Sequence, residues 1–313
     1  MSSLIEQASL RLEQLRRAGA AIPEGKQQQP ITQLPGKAAA PAAVPTAAAV
    51  APLVSRRVEI DLDLLASAGI VSPNAPRSQI ADQFRVIKRP LISNAMGKGA
   101  SVIANGNLIM VTSALAGEGK SFTAINLALS IATELDNTVM LVDADVARPS
   151  VLRVLGLPPS PGLLDLVLDD SVDMSSVLLK TNIDKLSILP SGTAHERATE
   201  LLASDAMIQL LDNVARRYSD RIVIFDSPPL LLTTESRVLA SHMGQIVMVV
   251  RAESTLKSDV QHALSTIEAC PVKMLVLNQA RTTAKGSYGY GSSGGYGHGY
   301  GYGYGYGQGQ QPG

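Results

Sequence analysis

The chain has 313 residues, 45% hydrophobic and 17% charged, enough apolar material for one large or two ordinary cores. Its 27 Lys+Arg balance 27 Asp+Glu, so net charge is zero and no global attraction to nucleic acid is built in. A single cysteine, Cys270, excludes a disulfide framework, a paired-cysteine redox centre and a Cys-rich zinc or iron–sulfur site; with only four scattered histidines, the chain reads as one of a reducing, intracellular compartment.

Residues 1–19 carry Ile5, Ala8, Leu12 and Leu15 at three- and four-residue spacing, with Glu6, Glu13, Arg16 and Arg17 elsewhere. The pattern predicts a short amphipathic helix, unstable alone, that is either a fraying end or a docking helix that orders on a partner. Its charges argue against a cleaved leader. Residues 20–56 are Ala-, Pro- and Gln-rich without periodicity and read as a linker. The uncharged run Ala38–Val54 is broken by Pro41, Pro45 and Pro52 and is too weakly apolar for a bilayer helix. Residues 57–107 form a lead-in: IDLDLLASAGIV closes in a turn at SPNAP, and SQIADQFRVIKRPLI predicts a helix over about 78–89 stopped by Pro90.

Over residues 108–285 short apolar runs alternate with helical patterns. LIMVTS, TVMLVD, LSILP, RIVIFD, QIVMVV and VKMLVLN read as strands; SFTAINLALSIATEL and TLKSDVQHALSTIEA read as helices. Continuous apolar strands divided by helices indicate an α/β, doubly wound, mostly parallel sheet with helices on both faces. Its ligands belong beyond the carboxyl ends of the strands. Residues 286–313 differ completely: thirteen of these 28 residues are glycine, seven are tyrosine and none is charged. Such a segment buries no core and is expected to be disordered.

ALAGEGKS (114–121) lies between a strand and a helix and has the P-loop pattern, with Ala114 in place of its first glycine. Backbone N–H groups over Ala116, Gly117, Glu118 and Gly119 would wrap phosphate oxygens, aided by the positive end of the helix that opens with Ser121 and Phe122. Lys120 would reach the β- and γ-phosphates of ATP, and the Ser121 hydroxyl would ligate Mg²⁺. TVMLVDADVARP ends its apolar run at Asp143, with Asp145 two residues on, and RIVIFDSPP ends at Asp226. Any one of these aspartates could cap a helix, but three carboxylates at two strand ends beside a P-loop indicate a magnesium–nucleotide site. ATPases of the MinD and ParA kind carry a signature lysine early in this loop; here that position is Leu115.

ALAGEGKS, LVDADVARP and IVIFDSPP, followed by a terminal tyrosine cluster, closely resemble the bacterial tyrosine kinases of polysaccharide export (BY-kinases) over about residues 75–313. The DADVARP variant resembles the autokinases of exosortase-linked exopolysaccharide clusters. The resemblance implies Walker A roles for Lys120 and Ser121. It puts Asp143 and Asp145 on a second, family-specific Walker motif and Asp226 on Walker B, with Asp143 helping to deprotonate the attacking tyrosine. One of the family's two arginines is Ala147 here; the remaining Arg148 either contacts phosphate or a neighbouring subunit, or makes a surface salt bridge. The family's oligomerisation helix matches Asp82, Arg85 and Lys88, with charge signs kept and two residue types changed. Their spacing puts them on one helix face, at a subunit interface or in solvent. Asn278 is either a hydrogen-bonding partner of the adenine or a turn residue, and Arg251 has no assigned role.

The resemblance makes residues 286–313 the substrate, with Tyr288, Tyr290, Tyr296, Tyr300, Tyr302, Tyr304 and Tyr306 as acceptors. Each phosphate adds about −1.5 to −2 charge, which would disperse a ring of subunits whose tails enter neighbouring sites. The competing readings are a sticky low-complexity tail and a MinD/ParA-like assembly ATPase without kinase activity. Nucleic acid is not an expected partner, since the tail has no Lys or Arg. The implied partners are a second copy of the chain, a membrane-embedded chain-length determinant and a cognate tyrosine phosphatase. The implied location is cytoplasmic, held peripherally at the inner membrane through that determinant.

Overall fold

Five of the six apolar runs become strands because each is a nearly continuous apolar segment that a sheet covered on both faces buries, and the sixth, VKMLVLN, becomes an edge strand with Leu275 and Leu277 exposed. The computed structural model describes residues 55–73, 78–218 and 220–281, all within Pro52–Gly313, one of the two units into which the chain divides. The strands are β2 (Leu108–Ser113), β3 (Thr138–Asp143), β5 (Leu186–Leu189), β6 (Arg221–Asp226), β7 (Gln245–Arg251) and β8 (Val272–Asn278). Two shorter strands, β1 (Arg57–Val58) and β4 (Leu179–Thr181), extend one edge. The sheet order is β1-β4-β5-β3-β6-β2-β7-β8, and every pair is parallel except β4 with β5. The lead-in therefore contributes a strand to the sheet instead of merely preceding it.

Alternation along the strands sorts the core into two layers. Val139 and Leu141 face one side, with α1 (Leu62–Ser67), α2 (Gln79–Ala95), α3 (Lys120–Ala132) and α4 (Val151–Val154). Met140 and Val142 face the other, with α5 (Leu163–Leu168), α6 (Met174–Val177), α7 (Ala198–Leu202), α8 (Asp205–Arg217), α9 (Glu235–Ser241) and α10 (Lys257–Ser265). Helix α3 lies between the sheet and α2, and every residue from Thr123 to Ala132 is buried. A helix apolar all round can exist only there, and its placement fixes the loop that precedes it.

Helix α2 corrects two expectations. It does not stop at Pro90 but runs on to Ala95. The hydrogen bond that proline cannot donate would have gone to the carbonyl of Val86, and both residues are on the exposed side, where water satisfies that oxygen. Nor is Lys88 available to an adjacent subunit. It is 3% exposed, and its ammonium donates to the Ser130 carbonyl and pairs with Glu134 at 2.8 Å, tying α2 to the C-terminal end of α3. Asp82 and Arg85 do lie in solvent, paired with each other at 2.6 Å. The putting of all three on one face fails because the buried stripe of α2, Phe84, Lys88 and Leu91, passes through Lys88. The amphipathic segment 1–19, nearly all of the linker and the terminal tyrosines lie outside the described residues.

The Lys88 hydrogen bond, followed by its charge, holds the Glu134 carboxyl below its ordinary value of about 4.5 despite partial burial. Lys88→Ala should cost about 2 kcal/mol, or roughly 5 °C in Tm, and adding Glu134→Ala should cost little more. Because the carboxyl is depressed, this coupling should be complete above pH 4.5 and disappear as pH falls further, as thermal melts of the wild type, Lys88→Ala, Glu134→Ala and the double variant across pH 3–7 would show.

Candidate active site

The loop between β2 and α3 is shaped by two glycines in the left-handed region, Gly117 (φ 82°) and Gly119 (φ 95°). Gly119 is required twice over: a Cβ there would also fall 2.1 Å from the Asn278 amide nitrogen. The turn ends with Lys120 as the first residue of α3, so the loop amides and the positive end of a long buried helix converge on one point. A cavity of 420 Å³ opens there, lined by Gly117, Lys120, Ser121, Asp145, Arg148 and Arg153, among others.

Of the three aspartates Asp145 lines this cavity; Asp226 lies 4.0 Å from the Lys120 ammonium, and Asp143 is brought to Asp226 because the strands that carry them are register partners. Asp143 stands directly opposite Asp226 across the β3–β6 pair, so two carboxylates share one face of adjacent strands. Asp143 Oδ2 accepts the backbone N–H groups of Ser150 and Val151, each at 3.0 Å. Its Oδ1 is buried without a partner. Asp226 Oδ1 likewise accepts no hydrogen bond and has the Lys120 ammonium at 4.0 Å. Lys120 is drawn instead to Asp145 Oδ2, at 2.5 Å. Burial, then the charge of Asp226, pushes the Asp143 carboxyl up to about 7. Burial raises Asp226 to about 6 against the opposing pull of Lys120.

Two facing carboxylates, each with an orphaned buried oxygen, fit a divalent cation. Among the described residues no three His, Cys, Asp or Glu side chains converge to chelate a metal unaided. That donor set suits Mg²⁺, which keeps waters and phosphate oxygens around one or two carboxylates.

Other residues singled out from the sequence fall in different places. The Phe122 ring and Asn278 line a groove between α2 and β8, away from the cavity that holds Lys120. Asn278 donates to the Glu118 carbonyl at 2.9 Å and accepts the Gln279 N–H, so its side chain clasps the loop from behind. Arg148 is exposed and uses its backbone N–H, donated to Asp145 at 3.3 Å. Glu118 is the surprise: its side chain turns away from the cavity and is 3% exposed. It accepts the Leu115 N–H at 2.7 Å, the Arg251 N–H at 3.4 Å and the Thr255 hydroxyl. Thr255 thus belongs to the site, and a lone threonine beyond β7 gives no signal in the sequence; Arg251 acquires a role through its backbone.

The chain matches known proteins over this region. The ParA family model, described as the NUBPL iron-transfer P-loop NTPase, matches residues 105–284. The tyrosine-protein kinase YwqD of Bacillus subtilis is 30% identical over 222 residues, 70% of this chain and 90% of that protein. The succinoglycan biosynthesis transport protein ExoP of Rhizobium meliloti is 32% identical over 221 residues, 69% of this chain but only 27% of its own length. The solved chimerical protein CapA2B2 superposes with a TM-score of 0.56 at 28% identity, covering 71% of this chain and 93% of that one.

Two tests follow from the geometry. Thr255→Val removes one anchor of the Glu118 carboxylate without touching the cavity, so KM for nucleotide should rise about tenfold with kcat nearly unchanged in steady-state assays. Asp143→Asn should stabilise the ligand-free protein. With the folded-state value near 7 and an ordinary value of 3.8, wild-type stability falls as pH rises between those values. The variant's advantage should therefore grow from pH 4 to 7 and level off above it, on the order of 2 kcal/mol in melts at pH 8 with EDTA.

Proposed function

The chain belongs to the bacterial protein-tyrosine kinase family of P-loop NTPases, and we propose that it transfers the γ-phosphoryl group of ATP to tyrosines of its own residues 286–313, regulating exopolysaccharide polymerisation or export. The observation that carries this reading is the facing Asp143–Asp226 pair, each with a buried oxygen free of any hydrogen-bond donor, beside the Lys120 loop.

The attacking tyrosine oxygen forms a bond to the γ-phosphorus while the bond to the ADP oxygen breaks, and the phenolic proton passes to Asp143. A phenol has a pKa near 10, so the carboxylate takes the proton only as the new P–O bond forms. Most of the acceleration then comes from position and charge. Lys120 leaves Asp145 for the β- and γ-phosphate oxygens, and the loop amides hold the phosphates in place. Ser121, Asp143, Asp145 and Asp226 are the residues that would hold Mg²⁺, which neutralises the β- and γ-oxygens when bound. Asp143 lines a different cavity, of 520 Å³, with Pro149, Pro159, Ser160, Ser191 and Gly192, joined to the Lys120 cavity through Arg153, an approach suited to an uncharged Gly-Tyr segment.

An unmodified tail carries no charge and seven acceptors, so it can enter in many registers. Subunits are joined in a ring, tail into neighbouring site, until accumulated phosphate disperses them. A membrane chain-length determinant is the partner that brings the kinase to the inner membrane, and a tyrosine phosphatase resets it. The chain matches about a quarter of the length of ExoP. No described helix is long and apolar enough to cross a membrane.

Intact mass after incubation with Mg·ATP tests the reading. Serial phosphate gains mapping to Tyr288–Tyr306 are expected, falling about 100-fold or more in Lys120→Met. Deleting residues 286–313 should abolish self-phosphorylation and preserve activity on an added tyrosine peptide. ATP turnover with no mass gain would assign the chain to the assembly ATPases.

A further inference from the structure

The opposite pole of the sheet carries a charge arrangement that phosphoryl transfer does not use. Thr138 and Arg221 open β3 and β6, five residues before the Asp143–Asp226 pair and so about 17 Å from it along the strands. On the same sheet face Lys180 of β4 is the register partner of Ser187 in β5, and Arg57 of β1 is the register partner of Lys180. Two exposed cations thus stand side by side across a strand pair, an arrangement that costs stability unless an anion lies between or over them.

Around this row is a cavity of 340 Å³ whose lining includes Arg57, Thr138, Lys180, Lys185, Ser187 and Arg221. Asp184, exposed, is its one acidic lining residue. Among the described residues no carboxylate comes within ion-pair reach of Arg57, Lys180, Lys185 or Arg221. Lys185 is committed to the carbonyls of Glu134 and Leu135. Arg221 is held in place: its guanidinium lies 4.8 Å from the Tyr218 ring centroid and donates to the Ser187 hydroxyl at 3.4 Å. Beside it the Arg221 Nε and the Thr138 hydroxyl are buried without partners.

We propose that this basic pocket is a binding site for phosphotyrosine borne by the chain's own Gly-Tyr segment, in the same subunit or a second copy. The inference rests on the self-phosphorylation reading above. A fixed guanidinium, two further cations and hydroxyl groups in one shallow pocket are the elements that recognise an aryl phosphate, a dianion with three strong acceptors. The volume, at the low end for small-ligand sites, accommodates a phosphate with its ring. The reach is sufficient. From Arg281 to Tyr296 is 15 residues, up to about 50 Å of extended chain, and to Tyr306 more. The pocket runs from β6 to β1, three to seven strand spacings from β8, about 14 to 34 Å. Tyrosines from Tyr296 onward can therefore pass round the sheet edge to the far pole. Docking there keeps a phosphorylated tail away from the Asp143–Asp226 carboxylates.

The test uses the full chain carrying Lys120→Met and a labelled synthetic peptide of residues 294–307, with phosphotyrosine or tyrosine at position 300. Anisotropy titrations in Mg·ADP should show the phosphopeptide binding at least tenfold tighter than the unmodified one. Arg57→Gln with Lys180→Gln should remove at least tenfold of that affinity while leaving the melting temperature unchanged or slightly raised, since it relieves a like-charge pair. Arg221→Lys, which keeps the charge but not the fork, should give an intermediate loss. Equal binding of the two peptides, or full affinity in the double variant, overturns the proposal. Displacement by inorganic phosphate at the same concentration as by phosphopeptide overturns the assignment to phosphotyrosine. Because the peptide is synthetic, failure here leaves the kinase reading standing, and failure of self-phosphorylation leaves this binding measurable.

Discussion

Everything at the catalytic end follows from one alignment: Asp143 and Asp226 face each other across a parallel strand pair in a buried crevice. The pair is unfavourable by itself, since burial raises both carboxyls, the charge of Asp226 adds to it at Asp143 and that of Asp145 at Asp226, and each keeps one buried oxygen without a partner. Lys120 approaches Asp226 only to 4.0 Å and pairs with Asp145 instead. The sheet can hold such a strained arrangement because its remaining residues are dense apolar packing on both faces, with β2 entirely buried between β6 and β7. Stability stored in the core thus sustains an unsatisfied charge arrangement at the site, the usual exchange at a functional centre.

The phosphate loop is fixed by a separate device. Its glycines give it a shape that few residues can adopt, but shape alone does not give rigidity. Rigidity comes from behind, where Glu118 is held by the β7–α10 connection and the Glu118 carbonyl by Asn278 at the end of β8. The strands on one side of β2 therefore fix the loop, while β3 and β6 on the other side supply the carboxylates. Nucleotide would be bound against an anchored half and would react against a charged half.

The sequence made much of this legible because the features in question are local. A six-residue run such as TVMLVD ending in aspartate states both the strand and where its charge emerges, and ALAGEGKS states a loop whose neighbours are a strand and a helix. What stayed hidden depends on distant pairing. β1 is two residues long and exists only because Lys180, far along the chain, pairs with it; β4 is three residues long and the one antiparallel partner. Lys88 sits at a spacing that suits an exposed charged face, and only the approach of α3 shows that it is a buried tether. Pro90 reads as a helix stop until the exposure of Val86 shows that the lost bond costs little. Glu118 looks like a loop filler, and Thr255 like nothing at all, because their meeting is a product of the topology.

A net charge of zero conceals a polar molecule. The carboxyl ends of β3 and β6 gather Asp143, Asp145 and Asp226 beside Lys120, Arg148 and Arg153, whereas their amino ends, with β1 and β4, gather Arg57, Lys180 and Arg221. A Gly-Tyr segment without charge has no electrostatic preference for either pole. A segment that carried phosphate, as proposed above, would be repelled by the carboxylates of the first pole and attracted to the cations of the second. Chemistry at one end of the sheet then changes which end the product prefers. The direction of travel is set by the placement of charges about 17 Å apart on a rigid scaffold, and it requires no conformational change in the sheet.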